Sequence, residues 1–150
     1  MSKLFDLTGK IALVTGGGGL LASEHAIALA SHGAKVYLAD ININKCQEKA
    51  NQIDSKEIFA AKLDVTSKDN WKDIVKTIVD NHGSLDILVN NAGYTNQTKT
   101  SAFDKIFENF SLNDWNTIMN VNLTGTFLGC QVVGNQMLKQ KKGSIINIAS

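Results

Sequence analysis

Four consecutive glycines, Gly16 to Gly19, form the stretch of this chain best suited to bind a phosphate group. They follow the apolar run 11–14 and precede a helical pattern that begins near Leu20. Glycines allow a tight turn and a close approach of the backbone to a ligand. The N-terminus of the next helix adds free N–H groups and the positive end of a helix dipole. The stretch therefore predicts a strand, a phosphate-binding turn and a helix.

The segment from Gly17 to Ala22 fits the dinucleotide-binding pattern G-x-G-x-x-G/A, with alanine in the last position. In this pattern the first glycine makes the turn, the second admits a pyrophosphate, and the small third residue packs the helix against the strand. The pattern is weak alone and needs a strand, a helix and an acidic residue about 20 positions further on. Asp40 supplies that residue, after the apolar run 36–39. Because all three features are present, a ligand-free glycine turn is the less favoured alternative.

Polar residues also stand at the ends of the other predicted strands. Asp64, Asn90 and Asn91 each come after an apolar run, and Ser150 comes after the last one. Each could instead cap a helix or stabilise a turn. Because the C-terminal ends of parallel strands meet at one edge of a sheet, these residues together predict a shared ligand crevice.

Short apolar runs alternate with helical patterns along the whole chain. The alternation predicts an α/β fold, a Rossmann-like doubly wound parallel sheet, in one domain over residues 1–150. The predicted strands cover roughly 10–15, 35–39, 57–62, 85–90 and 143–149. The predicted helices cover roughly 20–32, 43–53, 67–82 and 111–138.

The composition narrows the classes of function. With 43% hydrophobic and 19% charged residues, the 150-residue chain is typical of a soluble globular protein. A net charge of +1 gives no electrostatic basis for binding nucleic acid or an anionic membrane. Cys46 and Cys130 have no metal-ligand spacing, so no metal site is predicted. The N-terminus has no apolar targeting segment, and we expect a cytoplasmic protein.

Five motifs together resemble the short-chain dehydrogenase/reductase family. They are Thr-Gly at 15–16 with the glycine run, Asp-Val at 64–65, Asn-Asn-Ala-Gly at 90–93, Asn-Val-Asn-Leu-Thr-Gly at 120–125, and Gly-Ser-Ile-Ile-Asn-Ile-Ala-Ser at 143–150. The resemblance covers essentially the whole chain, which corresponds to the N-terminal half of a family member or slightly more. It implies a nicotinamide-dependent oxidoreductase whose Rossmann domain has five strands here and lacks its C-terminal strands.

The resemblance also implies a role for individual residues. Asp64 and Val65 would flank the adenine, and residues 91–93 would line the cofactor beside its ribose. Asn122 would hold a water in a proton relay, although it could instead be a helix-bending or packing amide. Ser150 would be the catalytic serine that hydrogen-bonds the substrate oxygen. The predicted cofactor-binding residues are Gly16, Gly17, Gly19, Leu20, Leu21, Asp40, Ile41, Asp64, Val65, Asn91, Ala92 and Gly93, and the predicted catalytic residues are Ser150 and Asn122.

The residues around Asp40 favour NAD over NADP. A carboxylate suits two ribose hydroxyls and repels a 2′-phosphate. Gly19 and Ile41 stand where the NADP-preferring relatives tend to carry basic residues. All 15 basic residues of the chain are lysines, so no arginine is present to hold such a phosphate.

The chain departs from the family pattern in two places. Leu20 and Ala22 stand where the family commonly has glycine, and this spacing resembles that of the extended, epimerase-like branch. The family's catalytic tyrosine and lysine follow the serine on the next helix, whereas Tyr37 and Tyr94 stand elsewhere. We therefore expect an N-terminal piece of a longer protein that is inactive alone.

Two alternative functions stay open. One is a dinucleotide-binding module without catalysis, and the other is an extended-branch nucleotide-sugar epimerase. A small-molecule substrate is expected, and a sugar derivative is a candidate because segment 94–112 resembles a subgroup associated with cell-surface sugar biosynthesis. The full-length protein is expected to be a homo-oligomer, with neither nucleic acid nor membrane as a partner.

Overall fold

A computed structural model describes residues 3–95 and 107–149. Strands and helices alternate, with 3₁₀ turns at Lys3–Phe5 and Phe107–Asn109. The strands are β1 (Ile11–Thr15), β2 (Lys35–Asp40), β3 (Ile58–Lys62), β4 (Ile87–Asn90) and β5 (Ser144–Asn147). The helices are α1 (Leu20–Ser31), α2 (Ile43–Gln52), α3 (Lys68–His82), α4 (Leu112–Met119) and α5 (Thr126–Gln140), and the π-helical segment Asn120–Gly125 joins the last two.

The five strands form one parallel sheet in the order β3-β2-β1-β4-β5. Leu13 pairs with Tyr37 on one side and with Leu88 on the other, so β1 is the central strand. The strand order reverses between β1 and β4, and a crevice opens there at the C-terminal ends of the strands. The predicted Rossmann-like doubly wound sheet is confirmed.

Helices cover both faces of the sheet, so β1 is buried along its whole length. On one face Leu13, Trp71 and Leu88 belong to the core beneath α3 and α5. On the other face Val14 and Ala22 belong to the core beneath α1 and α2. Ala22 is fully buried, as expected of the small residue that lets α1 pack closely against the sheet.

The predicted helix over 111–138 is helical from Leu112 to Gln140 but contains six residues of wider π turns. Glycines bring this helix close to the sheet. A Cβ atom added to Gly125 would lie 2.9 Å from Val65 Cγ2, and one added to Gly129 would lie 2.5 Å from Asn90 Oδ1. The sequence pattern did not indicate the π segment, because a single widened turn leaves a helical periodicity on both sides.

A buried carboxylate fastens the other end of the sheet. Asp86 Oδ2 accepts hydrogen bonds from Ile11 N at 3.1 Å and from Ser84 Oγ at 2.8 Å. Asp86 Oδ1 lies 3.1 Å from Lys142 Nζ. Burial raises the pKa of this carboxyl, but the Ser84 hydroxyl, the Ile11 N–H and the Lys142 ammonium outweigh burial and hold the pKa below its ordinary value. Asp86 therefore links the starts of β1, β4 and β5 as an anion.

We expect Asp86→Asn to lower the free energy of unfolding by about 2 kcal/mol at pH 7, because the ion pair and one charged acceptor are lost. The pKa of Asp86 is lower in the folded than in the unfolded protein, so the stabilisation is complete above pH 3.8 and is lost as pH falls through the folded pKa. Urea unfolding of the full-length protein at pH 7 and at progressively lower pH measures the difference. Asp69→Asn, which removes an exposed pair with Lys72, is the matched control and should leave the midpoint unchanged. A difference in the free energy of unfolding between wild type and Asp86→Asn that stays constant across pH would contradict this account.

Apolar side chains remain exposed on two surfaces of the described chain. On β5 and just after it, Ile146 is 45% and Ile148 44% exposed, and β5 has no outer neighbour among residues 3–95 and 107–149. On α4 and α5, Leu112, Trp115 and Phe127 are each more than half exposed. An unpaired strand edge invites pairing with another chain.

We expect the 150-residue polypeptide alone to self-associate through these surfaces. Light scattering at roughly tens of micromolar tests this, because exposed strand edges aggregate in that range. Ile146→Lys should reduce association, since a charge on an edge strand opposes pairing. A monodisperse monomer of the unmodified polypeptide would show that neither surface drives association.

Candidate functional site

A cleft of about 610 Å³ lies at the C-terminal edge of the sheet, where the sequence predicts a ligand crevice. Its lining comes from the glycine loop, the end of β2, the start of α2, the loop after β3, the loop after β4 and the π segment. The lining residues are Gly16, Gly18, Gly19, Asp40, Ile41, Asn42, Lys45, Leu63, Asp64, Val65, Ala92, Gly93, Tyr94 and Val121. The remaining predicted cofactor residues, Gly17, Leu20, Leu21 and Asn91, are not among the lining residues.

Glycine is required at two positions of the loop after β1. Gly16 has φ +70°, and a Cβ atom there would lie 2.9 Å from Ala92 Cα. Gly17 N donates to Ala39 O at 2.9 Å, and a Cβ atom at Gly17 would lie 2.8 Å from Cys46 Sγ. The loop is therefore held between the end of β2 and the turn after β4, with no room for side chains.

The N-terminus of α1 follows this loop. Gly19 is its N-cap residue and offers no side chain to cap the helix. The first N–H groups of a helix have no partner within the helix, and here they include those of Leu20 and Leu21. Both leucine side chains are more than half exposed. The residues thus leave backbone donors and the positive end of the helix dipole available to an anion.

The carboxylate of Asp40 is fixed at the edge of the cleft by backbone donors. Asp40 Oδ2 accepts a hydrogen bond from Gly18 N at 3.2 Å, and Oδ1 accepts one from Asn42 N at 2.9 Å. A carboxylate has about four lone-pair sites, so acceptor capacity remains for hydroxyl groups of a ligand. Asp40 thus joins the glycine loop to the start of α2 and presents a negative charge in the cleft.

The hydroxyl of Thr15 connects the two central strands at the point where the sheet order reverses. It accepts hydrogen bonds from Asn91 N at 3.0 Å and from Ala92 N at 2.9 Å, and it lies 3.4 Å from Val89 O, to which it donates. Asn91 Nδ2 donates in turn to Thr15 O at 2.9 Å. The sequence places Thr15 in the Thr-Gly motif, and its bridging role is visible only in the structure. The available signal was a hydroxyl at the end of an otherwise apolar buried strand.

The residues after β3 form a turn at the cleft that is held by side-chain hydrogen bonds. Asp64 Oδ1 accepts from Thr66 N at 2.9 Å and from Thr66 Oγ1 at 2.7 Å. The alternative that Asp64 caps the next helix does not hold, because Ser67 is the N-cap residue of α3 and accepts from Asn70 N. Val65 O accepts a hydrogen bond from the indole of Trp71 at 2.9 Å.

Asn122 lies in the π segment and fixes the backbone that follows the Asn-Asn-Ala-Gly motif. Its Oδ1 accepts from Tyr94 N at 2.7 Å, and its Nδ2 donates to Tyr94 O at 3.1 Å. The helix is irregular at Asn122, in line with the alternative of a helix-bending amide. The paired hydrogen bonds to Tyr94 were not predicted. Ser150, the predicted catalytic serine, lies outside the described residues.

A pair of amide side chains joins β4 to β5, the strand that leads toward Ser150. Asn90 is 4% exposed, and its Nδ2 donates to Asn147 Oδ1 at 2.9 Å. The same nitrogen lies 3.5 Å from Cys130 Sγ. Asn147 stands three residues before Ser150. The pair therefore couples the end of β4 to the end of β5.

Cysteine and metal chemistry is not supported within the described residues. Cys46 and Cys130 are both free thiols. Burial, followed by the nearby charge of Asp40, raises the pKa of the Cys46 thiol to about 12, so the thiol is neutral at physiological pH. In residues 3–95 and 107–149, no group of three or more His, Cys, Asp or Glu side chains could hold a metal ion. No helix in the same ranges has the length and apolar character needed to cross a membrane.

The cleft combines three kinds of recognition. The carboxylate of Asp40 can accept hydrogen bonds from a sugar, and the start of α1 can bind phosphate. Between Ile41, Leu63 and Val65 the lining is apolar, which suits the faces of a flat ring. The arrangement therefore fits a nucleotide-containing ligand.

Comparison with known proteins identifies relatives of the chain. Residues 10–150 match the profile of the short chain dehydrogenase family. A 3-alpha-(or 20-beta)-hydroxysteroid dehydrogenase of Mycobacterium bovis is 39% identical over 147 residues, which cover 96% of this chain and 52% of that relative. An uncharacterized oxidoreductase of Staphylococcus aureus is 35% identical over 144 residues, which cover 96% of this chain and 59% of that relative.

Solved structures agree with this relationship. A short-chain type dehydrogenase/reductase from Mycobacterium marinum superimposes with a TM-score of 0.90 at 32% identity, covering 100% of this chain and 60% of that one. The crystal structure of gox2181 gives a TM-score of 0.86 at 29% identity, covering 97% of this chain and 55% of that one. The chain spans about half the length of the curated relatives it matches.

We expect Thr15→Val to lower the free energy of unfolding by about 2–4 kcal/mol, because it leaves the N–H groups of Asn91 and Ala92 without an acceptor in a part-buried site. Thr15→Ser keeps the hydroxyl and should cost only about 1 kcal/mol for the lost methyl group. Urea unfolding of the full-length protein followed by circular dichroism compares the two. A smaller loss for valine than for serine would show that the methyl group, and not the hydroxyl, stabilises this junction.

Proposed function

The chain belongs to the short-chain dehydrogenase family, and we propose that the protein containing it transfers a hydride between a nicotinamide cofactor and a carbonyl or alcohol carbon. The observation that carries the proposal is the cleft lined together by Asp40, by Gly19 just before α1, and by Ala92 and Gly93. The family typically binds a nicotinamide cofactor, and the relatives are named as dehydrogenases and oxidoreductases.

The residues present fit a dinucleotide. A side chain at Gly16 or Gly18 would meet other atoms at 2.9 Å, so the loop keeps its surface bare for a ligand. Asp40 would accept the hydroxyls of the adenosine ribose, and the N–H groups at the start of α1 would hold the pyrophosphate. Asp64 and Val65 would flank the adenine, and residues 91–93 would line the cofactor beside its ribose. When bound, the nicotinamide supplies or accepts the hydride.

We propose NAD as the favoured cofactor. The carboxylate of Asp40 is held in the cleft by the N–H groups of Gly18 and Asn42. A 2′-phosphate beside it would place like charges together, which costs several kcal/mol. The chain also has no arginine with which to bind that phosphate in a bidentate manner.

The chemical step would use residues of this chain to orient the substrate. Ser150 would donate a hydrogen bond to the substrate oxygen, and Asn122 would maintain the backbone around Tyr94 at the mouth of the cleft. The acid–base tyrosine and its lysine, which the family resemblance requires, have no counterpart at the matching positions in these 150 residues. We therefore propose that this chain supplies the cofactor half of the active site.

The substrate is proposed only as a class, a small molecule with a secondary alcohol or a ketone. One relative is named for hydroxysteroids, which supports a test of steroid alcohols. The resemblance of segment 94–112 to a subgroup associated with sugar biosynthesis supports a test of sugar derivatives. A non-catalytic module would bind the cofactor and convert neither group.

We expect wild-type protein to bind NAD more tightly than NADP, and Asp40→Ala to gain affinity for NADP because a repulsive charge is removed. The same substitution should weaken NAD binding by about tenfold, the effect of roughly one charge-assisted hydrogen bond. Isothermal calorimetry with both cofactors measures this. Asp54→Ala, which removes an exposed charge on the loop before β3, is the control and should change neither affinity. Equal or tighter NADP binding by the wild type would contradict the proposal.

We expect turnover from the protein encoded by the complete reading frame and none from the 150-residue polypeptide. Positioned acid–base groups contribute about 10²–10⁴-fold to the rate, and the tyrosine and lysine that the family resemblance requires have no counterpart here. Absorbance of NADH, followed across steroid alcohols, ketones and sugar derivatives, compares the two proteins. Turnover by the short polypeptide at a similar rate would show that the assignment of the catalytic groups is wrong. Cofactor binding by the complete protein without turnover of any substrate would favour the non-catalytic module.

A further inference from the structure

Lys45 brings a positive charge to the end of the cleft that Asp40 borders. It lies in the first turn of α2, where side chains lean toward the helix N-terminus and hence toward the cleft. A Cβ atom added to Gly18 would lie 2.9 Å from Lys45 Cβ and 3.4 Å from Lys45 Cδ. The same Gly18 donates its N–H to Asp40. The lysine stem therefore crosses the glycine loop beside the carboxylate.

The ammonium of Lys45 is free to act on a ligand. Of the described residues that line the cleft, Lys45 alone is a cation. No carboxylate in the described part of the chain lies within 4.0 Å of its Nζ, in contrast to Lys10, Lys35 and Lys142. An unpaired ammonium has three hydrogen-bond donors for an anion. One end of the cleft thus holds both a carboxylate, which repels a phosphate group, and an ammonium, which attracts one.

We propose that Lys45 is a second determinant of cofactor choice, whose ammonium binds a phosphate on the adenosine ribose and so opposes the exclusion of that phosphate by Asp40. This inference rests on the proposed cofactor-binding function. It predicts that Asp40 sets the native preference for NAD, and that removing the charge of Asp40 exposes a phosphate site that is already built. The ligand group that Lys45 recognises is a ribose 2′-monophosphate.

The surrounding charges provide a matched control. Lys62 is the register partner of Asp40 on β3 and is exposed, but it does not line the cleft. Asp64 also lines the cleft, although its Oδ1 is held by Thr66. Comparing substitutions of Lys45 and Lys62 therefore separates the effect of a contact inside the cleft from the effect of any change of charge near Asp40.

The test uses the protein encoded by the complete reading frame, with NAD and NADP as probes in calorimetry. Asp40→Asn is the background, because the amide removes the charge and keeps an acceptor for Gly18 N. We expect Asp40→Asn to raise NADP affinity by at least about tenfold, because it removes a like-charge repulsion that costs several kcal/mol. Adding Lys45→Met should remove most of that gain, and adding Lys62→Met should leave it within about twofold. Lys45→Met should lower NAD affinity much less than NADP affinity, because NAD carries no 2′-phosphate.

Several results would overturn the inference. NADP affinity of Asp40→Asn that is the same with and without Lys45→Met would do so while leaving the proposed function intact. Equal losses of NAD and NADP affinity on Lys45→Met would place the ammonium at a phosphate common to both cofactors, and would also overturn it. An equal effect of Lys62→Met would show that Lys45 acts only as a nearby positive charge and not through contact with the phosphate. That result would also overturn the inference. Failure of every variant and of the wild type to bind either cofactor would overturn both this inference and the proposed function.

Discussion

The cleft depends on one hydroxyl group at the centre of the sheet. Thr15 ends the strand that leads into the glycine loop. Its hydroxyl accepts hydrogen bonds from the N–H groups of Asn91 and Ala92, in the turn after β4. A buried hydroxyl that uses its acceptor and donor capacity in this way adds stability and fixes geometry together. Since Gly16 packs directly on Ala92, the two walls of the cleft cannot move apart without breaking these bonds. The other contacts of the site, at Asp40, Asp64 and Asn122, each position one further loop against this fixed centre.

Much of the fold could be predicted because its signals are local in sequence. The apolar runs, the glycine loop and the small residue Ala22 each have a direct structural cause, and the strands and helices lie within a few residues of the predicted bounds. The parallel arrangement of the strands follows from the alternation of strands and helices, whereas their order, β3-β2-β1-β4-β5, comes from the structure alone. Asp40 was placed from its spacing alone, and it does lie in the cleft.

Most of the features that escaped prediction depend on contacts between distant residues. The bond from Gly18 to Asp40, the clamp of Asn122 on Tyr94 and the position of Lys45 over the loop require a known three-dimensional arrangement. The π segment escaped for a different reason, since a widened turn changes hydrogen bonding but not the apolar pattern. The role of Ser150 rests on the family resemblance, because this residue lies outside the described ranges.

The distance along the chain between the partners of Thr15 has a consequence for synthesis on the ribosome. Thr15 and Asn91 are 76 residues apart, so the cleft cannot close when its first wall emerges. At roughly 5 to 20 residues per second, about 4 to 15 seconds pass before the second wall is made. During that interval β1 can pair with β2, which follows it closely, but its other edge stays without a partner strand. The most buried strand of the finished protein is thus the nascent segment that waits longest for its second neighbour.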